Sequence, residues 1–421
     1  MLVRSAALAL ILPSVASAQL MEMISRSPSG APGDGPAVGF GYSASISPDG
    51  RELVFSSDST NLVAGDTNGA MDVFLYDCDA SAAGITLLSR GIGGVPADGP
   101  SVFPTLSQNG RFVAFLSQAS NLVPDDTNNA VDAFVCDRLL GTYERINVDS
   151  AEEQSVGFWF FTTQLSMTRN GRYVVFDTDA GDLVPGDLNG VSDVFMRDRL
   201  TGTTTRLYPS AYQAKLTPDG RYLTFTTNGA LLPGDFNNTD DVYVRDLGTN
   251  ALQRVSVSSQ GVEGNGPSFT SNISPNGRFV VFKSSANNLV SGDVNFSIDI
   301  FLRDRALGTT ERVSVSSQEV QANNDSYEGW ITEDGRYVYF GSAASNLVAH
   351  DPNGAGGDVF VRDRRRGTTT RIVVAEHDFG SGACAMTPDG IRTVLTDRLT
   401  TVAPVQFYLR TLPPPDPHPI F

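Results

Sequence analysis

Lysine, histidine and cysteine are all scarce in these 421 residues, and each scarcity closes off some chemistry. The only lysines are Lys215 and Lys283, so the cationic side chains are almost all arginine. The only histidines are His350, His377 and His418. A histidine-bound catalytic metal needs two or three converging, which this chain hardly permits. The cysteines, Cys78, Cys136 and Cys384, are odd in number, and no structural disulfide is expected from them. No apolar run is long enough to cross a bilayer. No G-x-S-x-G turn signals an α/β-hydrolase nucleophile. A net charge of -17 argues against nucleic acid, whose phosphates would be repelled.

What the chain has in abundance is one motif written seven times. A turn of the form P-D-G-R precedes a short apolar run, then S-x-A-x-N-L-V-x-G-D-x-N, then D-V-F-x-R-D-R, and then G-T-T-x-R-V-S-V. The anchoring glycines are Gly50, Gly110, Gly171, Gly220, Gly277, Gly335 and Gly390, spaced 49 to 61 residues apart. Copies of that size, built from short strand-like runs with no helical pattern, are single sheets that must stack to bury their faces. The second runs (FVAF, YVVF, YLTF, FVVF, YVYF) are almost continuously apolar, as expected of strands covered on both faces.

Seven sets of strands one to three are followed by only six fourth strands. The last set ends at Gln406-Phe407-Tyr408-Leu409, before Pro413-Pro414-Pro415, which cannot continue a ladder. The segment Met21 to Ser27 resembles the fourth strands, so it is predicted to complete the last sheet and leave no open edge. The fold predicted is an all-β, seven-bladed β-propeller closed by an N-terminal strand. With 40% hydrophobic residues, 41 Gly and 23 Pro, the chain can fill one large core and supply the turns. Residues 1–18 read as a cleaved export signal: Arg4, the apolar stretch Ala6 to Val15, and Ala16-Ser17-Ala18. The propeller is expected over 19–412 and a disordered Pro-rich tail over 413–421, in a secreted or periplasmic monomer.

Two recurring charge patterns stand out. In six copies an arginine follows the turn glycine (Arg51, Arg111, Arg172, Arg221, Arg278, Arg336) and an aspartate ends the third strand (Asp77, Asp137, Asp198, Asp246, Asp304, Asp363). Antiparallel neighbours bring these ends together, so each is predicted to form a cross-strand pair, lost jointly in the last copy to Ile391 and Arg410. The loop between strands two and three carries Asp-x-Asn-x-x-x-Asp. The residues are Asp66, Asn68 and Asp72; Asp126, Asn128 and Asp132; Asp187, Asn189 and Asp193; Asp235, Asn237 and Asp241; Asp293, Asn295 and Asp299; and, with one residue inserted, Asp351, Asn353 and Asp358. Hard oxygen ligands on a tight turn suit calcium. The other reading is a metal-free, side-chain-capped turn. An EF-hand is excluded, because Asp72 and Asp77 end a strand and stand roughly 16 Å apart.

The turn, the short apolar strand and the D-V-F strand together resemble the TolB-type, WD-repeat-like propellers of exported bacterial proteins, over residues of about 40 to 410. The resemblance implies a shared fold whose members serve as docking platforms, sensors or substrate-gating domains. TolB itself carries a small α/β domain before its propeller, whereas here the first strand is expected to follow the export signal directly.

The loops between blades are expected to converge on the axis, on the face of the Asp-x-Asn loops. That face is the predicted site for a protein or carbohydrate ligand. Trp159, Tyr327, Trp330 and His377 are the candidate ligand-binding residues, although packing into a blade interface is the commoner role for a run such as Phe158-Trp159-Phe160-Phe161. The function predicted is a non-catalytic binding or scaffold module. The alternative is a carbohydrate-active enzyme, a lyase or hydrolase, using carboxylates and His377 on the axial face.

Overall fold

The computed structural model describes residues 20–35, 43–80, 84–156, 165–354, 356–372, 382–398 and 405–411. Within them the chain forms seven antiparallel four-stranded sheets and one short 3-10 turn. Each of the first six blades is built from four consecutive strands; the second, for example, uses Ser101–Leu106, Phe112–Ser117, Asp132–Asp137 and Thr142–Arg145. The seventh combines Gly382–Met386, Arg392–Arg398 and Val405–Thr411 with Leu20–Met23 from the other end of the chain. The pairing is antiparallel, with Leu20 opposite Thr411 and Met23 opposite Tyr408. Ile24 N–H then donates to the Phe407 carbonyl at 2.8 Å, and Ser25 Oγ to Gln406 Oε1 at 2.8 Å. The predicted closure is therefore the one observed. The export signal and the Pro-rich tail lie outside the described residues.

Continuous apolar strands end up between sheets, as predicted. In Phe112–Ser117 and Tyr173–Thr178 every residue after the first is buried. Six blades carry an aromatic pair across strands two and three, such as Phe55 with Phe74 at 5.6 Å and Phe282 with Phe301 at 5.7 Å between centroids. Each fully buried ring contributes roughly 1.5–3 kcal/mol, and the pairing adds specificity to the stack. The turn glycines join the blades. Gly277 sits at φ +72, and a Cβ there would lie 2.1 Å from the Tyr222 ring of the preceding blade. Only glycine meets both demands.

Five of the six cross-strand pairs form as predicted, for instance Arg111 Nη2 to Asp137 Oδ2 at 2.6 Å and Arg278 to Asp304 at 2.7 Å. Blade one differs: Arg51 turns to Asp79 at 3.3 Å and Asp49 at 3.9 Å. Asp77 caps its own turn there, accepting from Asp79 N–H at 2.9 Å. The reason is local, since a second carboxylate two residues on competes for an exposed guanidinium. The last blade also needs a correction. Arg392 is opposite Thr411, as Glu52 is opposite Asp77, so Thr411 rather than Arg410 holds the aspartate's place. Arg410 stands one rung earlier, where Arg197, Arg303 and Arg362 stand in their blades.

A further set of arginines, just past the third strand, ties blade to blade. Arg138 reaches Glu52 of the preceding blade at 2.7 Å and the Gly110 carbonyl. Arg199 likewise reaches Glu144 at 2.8 Å and lies over the Phe112 ring. Cys78 and Cys136 are free thiols, both raised to about 11 by burial.

Candidate functional site

The Asp-x-Asn loops resolve into a repeated polar cluster. In each copy the Asn side-chain amide donates to the final Asp, as in Asn68 Nδ2 to Asp72 Oδ2 at 2.8 Å and Asn295 to Asp299 at 3.0 Å. In blades one to five the Asn Oδ1 accepts a backbone N–H two residues on, from Ala70 at 2.9 Å or Thr239 at 3.1 Å for example. The Asn thus acts as a turn cap there, with its amide nitrogen facing the carboxylate.

In blades two to five the two carboxylates of the loop meet a cation that lies outside it, and in blade six one of them does. In blade three Arg206, from the fourth strand, lies 2.9 Å from both Asp187 and Asp193. Arg145 spans Asp126 and Asp132 at 3.3 and 3.7 Å, Arg312 spans Asp293 and Asp299 at 3.0 and 3.5 Å, and Arg371 holds Asp358 at 2.8 Å. Blade four adds a third carboxylate. Asp235, Asp241 and Glu263 place ligand atoms within 4.8 Å of one another, and Arg254 reaches all three at 3.4, 3.3 and 2.9 Å. A guanidinium between carboxylates gives charge-assisted bonding, here with one Nη shared by the carboxylates in blades three to five. Burial pushes Asp132 and Asp299 up to about 6, opposed by their arginines and by hydrogen bonds. These arginines are the R of T-x-R-V-S-V, so the signal was in the repeat. Linking it to a loop 13 residues upstream required the fourth-strand register.

The second site is the axial channel. One residue per blade occupies the same rung of the innermost strand: Ser45, Thr105, Ser166, Lys215, Asn272, Trp330 and Ala385. Most of these line a cavity of about 240 Å³ together with Phe103 and Glu328. Bulges in five of the innermost strands re-aim side chains near the lumen. Phe103 and Gln213 are held there at positive φ, +53 and +54. Lys283 pairs with Glu328 at 2.7 Å. Burial lowers the pKa of Lys215, and the charges of Glu328 and Asp177 oppose that shift.

Of the candidate ligand residues, Trp330 lines this channel and Tyr327 is 45% exposed on the same strand. Trp159 and His377 lie outside the described residues. A larger cavity of about 810 Å³ opens on the opposite face, where P-D-G-R-type turns from six blades converge, with Gln108, Arg169, Asp334 and Tyr337 among its walls. Turn tips that look purely structural in sequence gave no sign of it.

No family model matches the chain, and neither does any curated protein. Solved structures do. An oligogalacturonate lyase from Vibrio parahaemolyticus is 14% identical with a TM-score of 0.55, over 94% of this chain and 97% of that one. A prolyl endopeptidase is 14% identical with a TM-score of 0.55, over 88% of this chain and 48% of that one. TolB from Acinetobacter baumannii is 13% identical with a TM-score of 0.44, over 78% of this chain and 62% of that one. This chain thus spans nearly the whole lyase, under two thirds of TolB and about half of the endopeptidase. The shared property is the propeller fold. Among the described residues no helix is long and apolar enough to cross a membrane.

Proposed function

We propose that the chain is an exported, non-catalytic binding module whose ring holds an acidic ligand at the axial channel. One observation carries this reading. In a chain of net charge -17, the only two lysines gather beside one carboxylate, Glu328, at the axis. Trp330 lies on the same rung as Lys215 and offers a flat apolar face. Ammonium groups beside an indole suit a carboxylated sugar or an acidic peptide segment. Export rests on Arg4, the apolar stretch to Val15 and Ala16-Ser17-Ala18.

A second reading, a carbohydrate-active lyase or hydrolase, is favoured by the near-complete coverage of the lyase chain. Fold by itself does not assign chemistry. Both readings meet in one experiment, in which the purified protein is screened against acidic and neutral polysaccharides and acidic peptides, with retention and turnover measured together. The binding reading expects retention of an acidic ligand, weakened in Lys215→Met, with no product. Product formation that is lost in His377→Ala or Lys215→Met would transfer the assignment to the enzyme, and no retention of any acidic ligand would refute the channel site.

A further inference from the structure

Register makes the blades comparable residue by residue. The arginine that neutralises each loop lies opposite an aromatic of the third strand: Phe134 with Arg145, Phe195 with Arg206, Tyr243 with Arg254, Phe301 with Arg312 and Phe360 with Arg371. In blade seven the matching rung pairs Tyr408 with Met23. Its carboxylate has gone too, because Gln406 accepts the Ser25 hydroxyl where Asp72, Asp241 and Asp299 accept a serine in their blades. Arginine and carboxylate are lost together there.

Blade one breaks this rule. Phe74 lies opposite Leu87, so the arginine is replaced by a buried apolar side chain, while Asp66 and Asp72 are both kept. Asp72 is fully buried and Asp66 is 8% exposed. Asp72 accepts from Asn68 and Ser89, but Asp66 Oδ1 is buried with no hydrogen-bond partner. Asp187 Oδ1 in blade three also lacks a hydrogen bond, yet it lies 2.9 Å from Arg206. Asp34, on the ring-closing loop, adds its negative charge to the field at Asp66. A buried carboxylate pair without a counter-charge is costly, and an orphaned inward oxygen is the usual mark of a missing partner.

We propose that blade one binds one calcium ion between Asp66 and Asp72, in the role that arginine plays in blades two to six. Carboxylate oxygens with backbone carbonyls and water are the ligand set of a hard divalent cation, whereas thiol and imidazole donors are lacking in the cluster. The other five loops already hold a guanidinium and bind none; in blade six it reaches Asp358 and adds its charge at Asp351, whose oxygens lack a hydrogen bond.

Calorimetric titration of the chelator-stripped protein with calcium chloride at pH 8 is expected to give one ion per chain. Saturating calcium should raise Tm by about 3 °C. Leu87→Arg rebuilds the arginine blade, so it should abolish binding while Tm in chelator is equal to or above that of the parent; Asp66→Asn should abolish it as well. The converse variant, Arg145→Leu, should create a second calcium site. A parent protein that takes up no calcium, or a folded Leu87→Arg variant that binds it as tightly as the parent, overturns the proposal. Because this site lies outside the channel, its failure leaves the acidic-ligand reading untouched.

Discussion

Arg254 offers the sharpest test of how these loops are held. Its side chain is 9% exposed and faces Asp235, Asp241 and Glu263, whose side chains are 6%, 1% and 20% exposed. A second nitrogen donates to the Gly234 carbonyl at 2.7 Å. Arg254→Leu would leave three clustered carboxylates without a cation. Removing one partner from a buried ionic cluster costs about 3–5 kcal/mol, because the remaining charges keep their desolvation penalty. Part of that cost can be relieved by protonation. Asp241 is already raised above its ordinary value by burial, and losing the arginine raises it further. The deficit should therefore be largest at pH 8 and shrink towards pH 5. The seventh blade shows the compensated arrangement, with Gln406 and Met23 in place of acid and base. The triple variant Asp235→Asn, Asp241→Gln, Arg254→Met should accordingly recover most of the loss. Urea denaturation followed by circular dichroism, in chelator so that no metal substitutes for the guanidinium, measures each step. A loss below about 1 kcal/mol for Arg254→Leu at pH 8 would refute the reasoning, since that is the range of an exposed pair.

Three further outcomes follow from other parts of the ring. Gly277→Ala should cost more than Gly234→Ala, because both have positive φ but only the first brings a Cβ against Tyr222; equal losses in thermal melts would contradict the contact. Asp132 and Asp299 hold protons up to about pH 6 against an ordinary 3.8, so the stability they contribute is complete below 3.8 and is lost as the pH rises through 6. Tm in chelator should therefore fall between pH 5 and pH 7, and a rise across that window would contradict the assignment. Lys215→Met and Lys283→Met should each weaken retention of an acidic ligand by about tenfold, the scale of one charge-assisted contact. Tm should not fall with them, and unchanged retention would place the ligand elsewhere.

Much of this architecture was readable from the chain because the repeat exposes it directly. Turn glycines counted the blades, and a missing fourth strand after Leu409 pointed to Met21 as its replacement. The cross-strand pairs were readable because strand ends are fixed by the turn, and they failed only where Asp79 competes for Arg51. The sequence alone sets Arg410 where the ladder sets Thr411, because nothing but the register distinguishes the two. At the loops, the aspartates are legible in the sequence but their arginines are not, since the partners come from different strands. Leu87 looks unremarkable until its rung is compared with those of the other blades. In the sequence the two lysines are visible only as a scarcity, because convergence at the axis is a property of the closed ring.

All of these equivalences depend on the two ends of the chain meeting in the stated register. Glu22 is opposite Leu409. With Cys78, Cys136 and Cys384 replaced by serine, the double variant Glu22→Cys, Leu409→Cys should oxidise to a single intramolecular disulfide, identified by peptide mapping, and Tm should rise. If the thiols stay free under oxidant, or link only between molecules, the ring does not close as described.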